Sequence, residues 1–164
     1  MLSLPQLLEE DILVLDAALD ELVLKSEALS ALLIDKGGPL ITSRGSCRDF
    51  DFTTVAALAA GSFAANEAIA SLVGERNFSS VYQQGENHSI LVENVDGQLL
   101  LLIIFKAAQS VGVVKYYTAS TINTVAGQLQ KAMARSPGSS IDLVSMNLLD
   151  TSELFRRKPG ADAN

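Results

Sequence analysis

The run Leu99-Leu100-Leu101-Leu102-Ile103-Ile104-Phe105 constrains the fold more than any other stretch of the chain. Seven consecutive apolar residues fall far below the roughly 18 needed to cross a bilayer. They suit a strand better than a helix of ordinary length. A strand apolar on both faces has to be covered on both, so residues 98–105 are predicted to form the central strand of a sheet. Asp96-Gly97 before it is a hairpin signal, and the alternating segment 89–95 supplies the antiparallel neighbour.

The rest of the chain provides the cover. Leu8, Ile12, Leu15, Leu19 and Leu22 step by four, three, four and three. That spacing predicts a first helix over 5–26, with Pro5 in its opening turn. Residues 29–35 read as a buried strand, Lys36-Gly37-Gly38 as a turn and 39–43 as a second strand. Asp51 or Thr53 opens a second helix that runs to about Gly74. A short polar strand follows at 80–84. After the central strand comes a loop over 106–110, then a third helix over 111–134. Val114, Tyr117, Thr121, Val125, Leu129 and Met133 recur there at helical spacing, with Tyr116 near the same face.

The predicted order is α-β-β-α-β-β-β-α over residues 1–134, an α+β domain. Arg135-Ser136-Pro137-Gly138-Ser139 breaks the third helix and opens a tail over 135–164. In the tail, Asp150 and Glu153 are spaced as a capping box, and Leu149 and Leu154 as a hydrophobic staple. A short helix is expected at 151–157, ended by Pro159-Gly160, with the last residues disordered.

Composition narrows the function. Twelve Lys and Arg against 19 Asp and Glu give a net charge of −7, the wrong sign for a partner held through phosphates. Apolar residues reach 48%, which excludes disorder for most of the chain and suggests surface hidden in an oligomer or a partner. The single cysteine, Cys47, has no internal partner, and the N-terminus carries Glu9-Glu10-Asp11 in place of a basic leader. A cytoplasmic location is the expectation.

Signatures of catalysis are sparse. The sequence contains no P-loop string, no Gly-x-Ser-x-Gly and no cysteine pair. His88, the one histidine, reads as an exposed turn residue and not as a ligand or base. Cys47 lies near Arg44 and Arg48, which would favour its thiolate, but nothing places His88 beside it. Glu9-Glu10 and Asp20-Glu21 read as solvating charge on the first helix. No catalytic residue, cofactor or metal is expected.

The second helix is the informative one. At 100° per residue, Leu58, Ala65, Ile69 and Leu72 share one side and are predicted to face the sheet. A neighbouring stripe, Ala57, Gly61, Ala64, Ala68 and Ser71, contains only small residues. Glycine in mid-helix costs about 0.5–1 kcal/mol relative to alanine, and close approach by another backbone would offset it. That stripe is therefore the candidate partner-binding surface.

Several strings together resemble the Roadblock (dynein light-chain type) domain family. They are the hairpin Leu32-Leu33-Ile34-Asp35-Lys36-Gly37-Gly38-Pro39-Leu40-Ile41, then Leu58-Ala59-Ala60-Gly61-Ser62-Phe63-Ala64-Ala65 with Leu72-Val73-Gly74-Glu75. Gln84-Gly85-Glu86, the run from Leu101 to Phe105 and Ser110-Val111-Gly112-Val113-Val114-Lys115 complete the set. The likeness covers about residues 4–134 and points to the bacterial MglB-like branch of the family.

The resemblance implies a five-stranded antiparallel sheet with the first and third helices on one face and the second on the other. It implies a homodimer whose third strands pair edge to edge through Val81, Tyr82 and Gln83, with the second helices lying together. It also implies a function: binding the GTP form of a small Ras-like GTPase (MglA-like) and stimulating hydrolysis, in the service of cell polarity. Arg44, Arg48 and Arg76 are the loop candidates for an arginine finger, which the family pattern does not require. The tail residues Leu149, Leu154 and Phe155 are candidates for a distal contact on the same GTPase. The alternative is a Roadblock scaffold that assembles partners without altering nucleotide turnover.

Overall fold

The fold is given by a computed structural model, which describes residues 4–46 and 49–135. Its elements are α1 (Glu9–Ser26), β1 (Ser30–Asp35), β2 (Leu40–Gly45), α2 (Phe52–Leu72), β3 (Ser80–Gln84), β4 (His88–Val95), β5 (Leu99–Lys106) and α3 (Val111–Arg135). The five strands form one sheet in the order β2-β1-β5-β4-β3, antiparallel throughout. The doubly apolar strand β5 occupies the middle, where both of its faces can be buried.

Two cores result. Leu99, Leu101, Ile103 and Phe105 pack with Leu15, Leu19 and Leu22 of α1 and with Val114, Val125 and Leu129 of α3. Leu100, Leu102 and Ile104 on the opposite face pack against Ala56, Ala60 and Phe63 of α2. The α+β layering of two helices on one face and one on the other is thus the one expected. Tyr116 departs from expectation: it is 76% exposed, because Val114, Thr118, Thr121 and Val125 mark the buried face of α3.

Element ends differ by a few residues, each for a local reason. α1 starts at Glu9 and not Pro5, because the Asp11 carboxylate accepts the Leu8 N–H at 2.7 Å. That bond fixes Leu8 in an extended cap conformation with ψ at 165°. β2 extends to Gly45, whose φ of +120° brings it so close to β1 that a Cβ would lie 2.6 Å from Ser30 Cα. Asp51, the first of the two candidate caps, accepts the Thr54 N–H at 3.1 Å and opens α2 at Phe52. Asp96 and Gly97 both have positive φ, as a primed hairpin turn requires. Val95 pairs with Leu99, so this loop spans three residues and not two.

Candidate partner-binding surface

α2 is 21 residues long, with Glu67 its sole charged residue. By length and composition it could cross a membrane, yet it packs lengthwise on the sheet. Its buried residues are Ala56, Ala60, Phe63 and Ala70. This overturns the expectation for Leu58, Ala65, Ile69 and Leu72, all of which are exposed. Leu58 is 69% exposed and Leu72 is 86% exposed. The physical reason lies in the sheet. β1 and β5 already present Leu32, Ile34, Leu100, Leu102 and Ile104, and alanines let the helix backbone settle onto those side chains while Phe63 fills the remaining depth. Lys36 Nζ lies 5.5 Å from the Phe63 ring centroid and pairs with Glu67, so the helix's one charge is matched beside the sheet.

The outer surface of α2 has two flanks. Ala57, Gly61, Ala64, Ala68 and Ser71 are all exposed, as the sequence predicts. A Cβ built on Gly61 meets nothing within 4 Å. Ala64 borders a hollow of about 740 Å³ rimmed by Lys36 and Gly37 of the β1–β2 turn and Asp96 and Gln98 of the β4–β5 turn. On the other flank, Val55, Leu58, Ser62 and Asn66 overhang an apolar groove of about 280 Å³. Its floor is Val81 of β3, Ile90 and Val92 of β4 and Leu102 of β5. One helix cannot cover five strands, and the outer strands on this side are left open.

β3 is the edge strand next to that groove. Asn94 N donates to Ser79 O at 2.9 Å and Gly85 N to His88 O at 3.0 Å, which fixes the alternation between β3 and β4. Ser80, Tyr82 and Gln84 therefore direct their backbone N–H and C=O groups away from β4. Val81 and Gln83 face the groove. Tyr82 faces the other side of the sheet, its ring stacked on Phe105 with centroids 6.2 Å apart.

The remaining candidates separate cleanly. His88 begins β4, is exposed and sets its ring nearly perpendicular to that of Phe50, 5.5 Å between centroids. Arg44 is not in a loop but on β2, where Asp20 accepts its Nε and Nη2 donors at 2.8 and 2.7 Å. Those bonds hold Asp20 below the usual carboxylate range and Arg44 on the α1 side of the sheet, away from α2. Arg76 is exposed between α2 and β3. Cys47 and Arg48, and the tail residues Leu149, Leu154 and Phe155, lie outside the described residues. Among the described residues no group of three or more His, Cys, Asp or Glu side chains is placed to hold a metal.

Sequence reasoning missed the buried carboxylate of Asp11, which reads as part of an exposed acidic triplet. The Leu8 N–H, Gln128 and Arg135 hold it below the usual carboxylate range against the opposing effect of burial.

Two helices on one face of a five-stranded antiparallel sheet, one exposed apolar helix on the other and an edge strand beside it define a Roadblock/longin-like α+β domain. The chain belongs to the Roadblock/LC7 domain family, whose family model matches residues 14–105. It is similar to MglB of Myxococcus xanthus, with a TM-score of 0.73, 28% identity, and 77% of this chain and 96% of that one covered. It is similar to the gliding protein MglB of Thermus thermophilus, with a TM-score of 0.73, 25% identity and coverage of 80% and 99%. An MglB solved in a tetrameric arrangement gives 0.72, 26%, 80% and 98%. No curated protein sequence matches the chain.

Proposed function

We propose that this chain is a homodimeric regulator of a small Ras-like GTPase, binding the GTP form and stimulating hydrolysis, with a role in cell polarity or motility. The observation that carries the reading is Gly61: a helix-weakening residue in the middle of α2, exposed, with open space where a side chain would be. Nothing described within the domain accounts for it. A partner backbone approaching the Ala57-Gly61-Ala64-Ala68-Ser71 flank would.

The two flanks of α2 suit two tasks. Edge pairing of β3 with β3 of a second copy, through Val81, Tyr82 and Gln83, would bring the second copy's α2 over the groove beneath Leu58, Ser62 and Asn66. The small-residue flank would then stay free on each protomer for the GTPase. The likeness to MglB structures, at 25–28% identity, supports the regulator reading.

Stimulation in this reading needs no residue donated to the nucleotide. Arg44 is tied to Asp20 on the far face of the sheet. A regulator that binds the hydrolysis-competent conformation more tightly than the others raises its population and hence the rate. The GTPase's own residues then place the water and stabilise the transferring phosphoryl group. The tail residues Leu149, Leu154 and Phe155 add a distal contact on the same GTPase.

Single-turnover GTP hydrolysis by a Ras-like GTPase from the same genome, with and without this chain, tests the proposal. A faster turnover supports it. Binding with an unchanged rate would leave the scaffold reading in its place.

A further inference from the structure

α1 and α3 lie side by side in opposite directions. Gln128 and Arg135 of α3 reach Asp11 at the start of α1, while Gln109, just before α3, donates to Ser26 O at its end at 3.0 Å. Between their outer flanks runs a groove of about 490 Å³, with small side chains Ala18, Ser120 and Thr124 and the Tyr117 ring along it. Tyr116 on its rim is 76% exposed, and on the outward side of α1, outside the groove, Leu13 is 65% exposed and Leu24 80%. Leu13, Ala17 and Leu24 recur by four and seven on the side of α1 opposite Leu15, Leu19 and Leu22, with Asp20 between them tied to Arg44. A helix needs one apolar stripe to join a core; α1 carries a second.

Two observations indicate what covers it. The described chain ends at Arg135, held at the N-terminal end of α1 by Glu10 at 2.6 Å and by Asp11. The remaining sequence therefore departs from the N-terminal end of α1. It contains Leu148, Leu149, Leu154 and Phe155 followed by Arg156-Arg157-Lys158, the sequence's one run of three basic residues. α1 is the complementary surface, since its six carboxylates outnumber Lys25, Arg44 and Arg135, the three cations that pair with them. Residues 136–147 can span about 40 Å when extended, whereas α1 is about 27 Å long, so the segment reaches every part of the stripe.

We propose that in the free protein the segment from Leu148 to Lys158 docks along the outward side of α1 in its own chain, beside the α1–α3 groove. Leu149, Leu154 and Phe155 cover Leu13, Leu24 and Tyr116, and the basic run meets the net negative charge that α1 keeps after its pairings. This docking does not depend on the GTPase reading. It adds to it that a partner using the same tail residues must first take them from α1.

The test uses the full chain carrying Cys47→Ser and Leu24→Cys, so that the single thiol sits on the stripe. Its reaction rate with a thiol reagent is measured with and without the triple substitution Arg156→Glu, Arg157→Glu and Lys158→Glu. The expected result is a thiol about fivefold slower to react with the native tail than with the reversed one. Fast reaction in both overturns the proposal. Slow reaction in both, more so at higher protein concentration, also overturns it and assigns the stripe to a second copy. Adding Phe155→Cys to the Leu24→Cys chain should give an intrachain disulfide by mass under mild oxidation. A covalent dimer, or no disulfide, counts against it.

Discussion

Gln128 Nε2 donates to Asp11 Oδ1 at 2.6 Å, joining the last third of α3 to the first turn of α1 across 117 residues of sequence. With Arg135 on the other carboxylate oxygen and the Leu8 N–H capping the helix, this buried anion is fully engaged. It pins the two helices that cover one whole face of the sheet, and so fixes where α3 ends and the tail departs.

Acid should loosen that pin. The Leu8 N–H first, then Gln128 and Arg135, hold Asp11 below its ordinary value of 3.8. A carboxylate depressed in the folded state contributes stability that is complete above its unfolded pKa and lost as pH falls through the folded one. Asp11→Asn should lower the melting temperature at neutral pH, and the gap to the unsubstituted protein should shrink as pH falls below 3.8. Circular dichroism melts across that range check it; a gap independent of pH would contradict it.

Glu93 has the opposite sign. Half-burial on β4 raises its pKa above 4.5, and Lys115 only partly offsets this. The folded protein therefore holds that proton more tightly than the unfolded chain, and stability declines as pH rises past the ordinary carboxylate range. Glu93→Gln should raise the melting temperature at neutral pH and make no difference well below 4.5.

Ala64→Arg with Ala68→Arg places two long cations on the exposed small-residue flank of α2. The domain should fold and dimerise as before, since neither side chain is buried. Titration calorimetry should show GTPase binding abolished, and undiminished heat would reject the surface.

Gly61→Ala separates stability from binding. The site is helical, exposed and open, so the methyl should stabilise the domain by about 0.5–1 kcal/mol in urea unfolding. Affinity for the GTPase should fall at the same time, because the added methyl stands where a backbone is proposed to approach.

Tyr82→Pro should convert the dimer to monomer in sedimentation experiments. The lost N–H points away from β4, so the β3–β4 ladder keeps its bonds while the edge loses a donor. Tyr82→Phe, which keeps the ring on Phe105 and the backbone N–H, should remain dimeric.

The resemblance implied the fully antiparallel sheet, and the residues themselves determined the eight elements and the central place of β5. Each follows from local patterns such as a run apolar on both faces, leucines at four–three spacing and a primed-turn Asp-Gly. The small-residue flank of α2 was legible too, because Gly61 has a cost that needs an explanation. What only tertiary structure decided is which side of α2 meets the sheet. The helix is apolar all round, so the periodicity that turned Leu58, Ala65, Ile69 and Leu72 toward the sheet chose the wrong side. The bulk already supplied by Leu32, Leu100, Leu102 and Ile104 selected alanines for contact and sent Leu58, Ile69 and Leu72 outward. The state of Asp11 was decided in the same way. Its burial depends on Gln128 and Arg135, residues more than a hundred positions away that only the packing of α3 on α1 brings within reach.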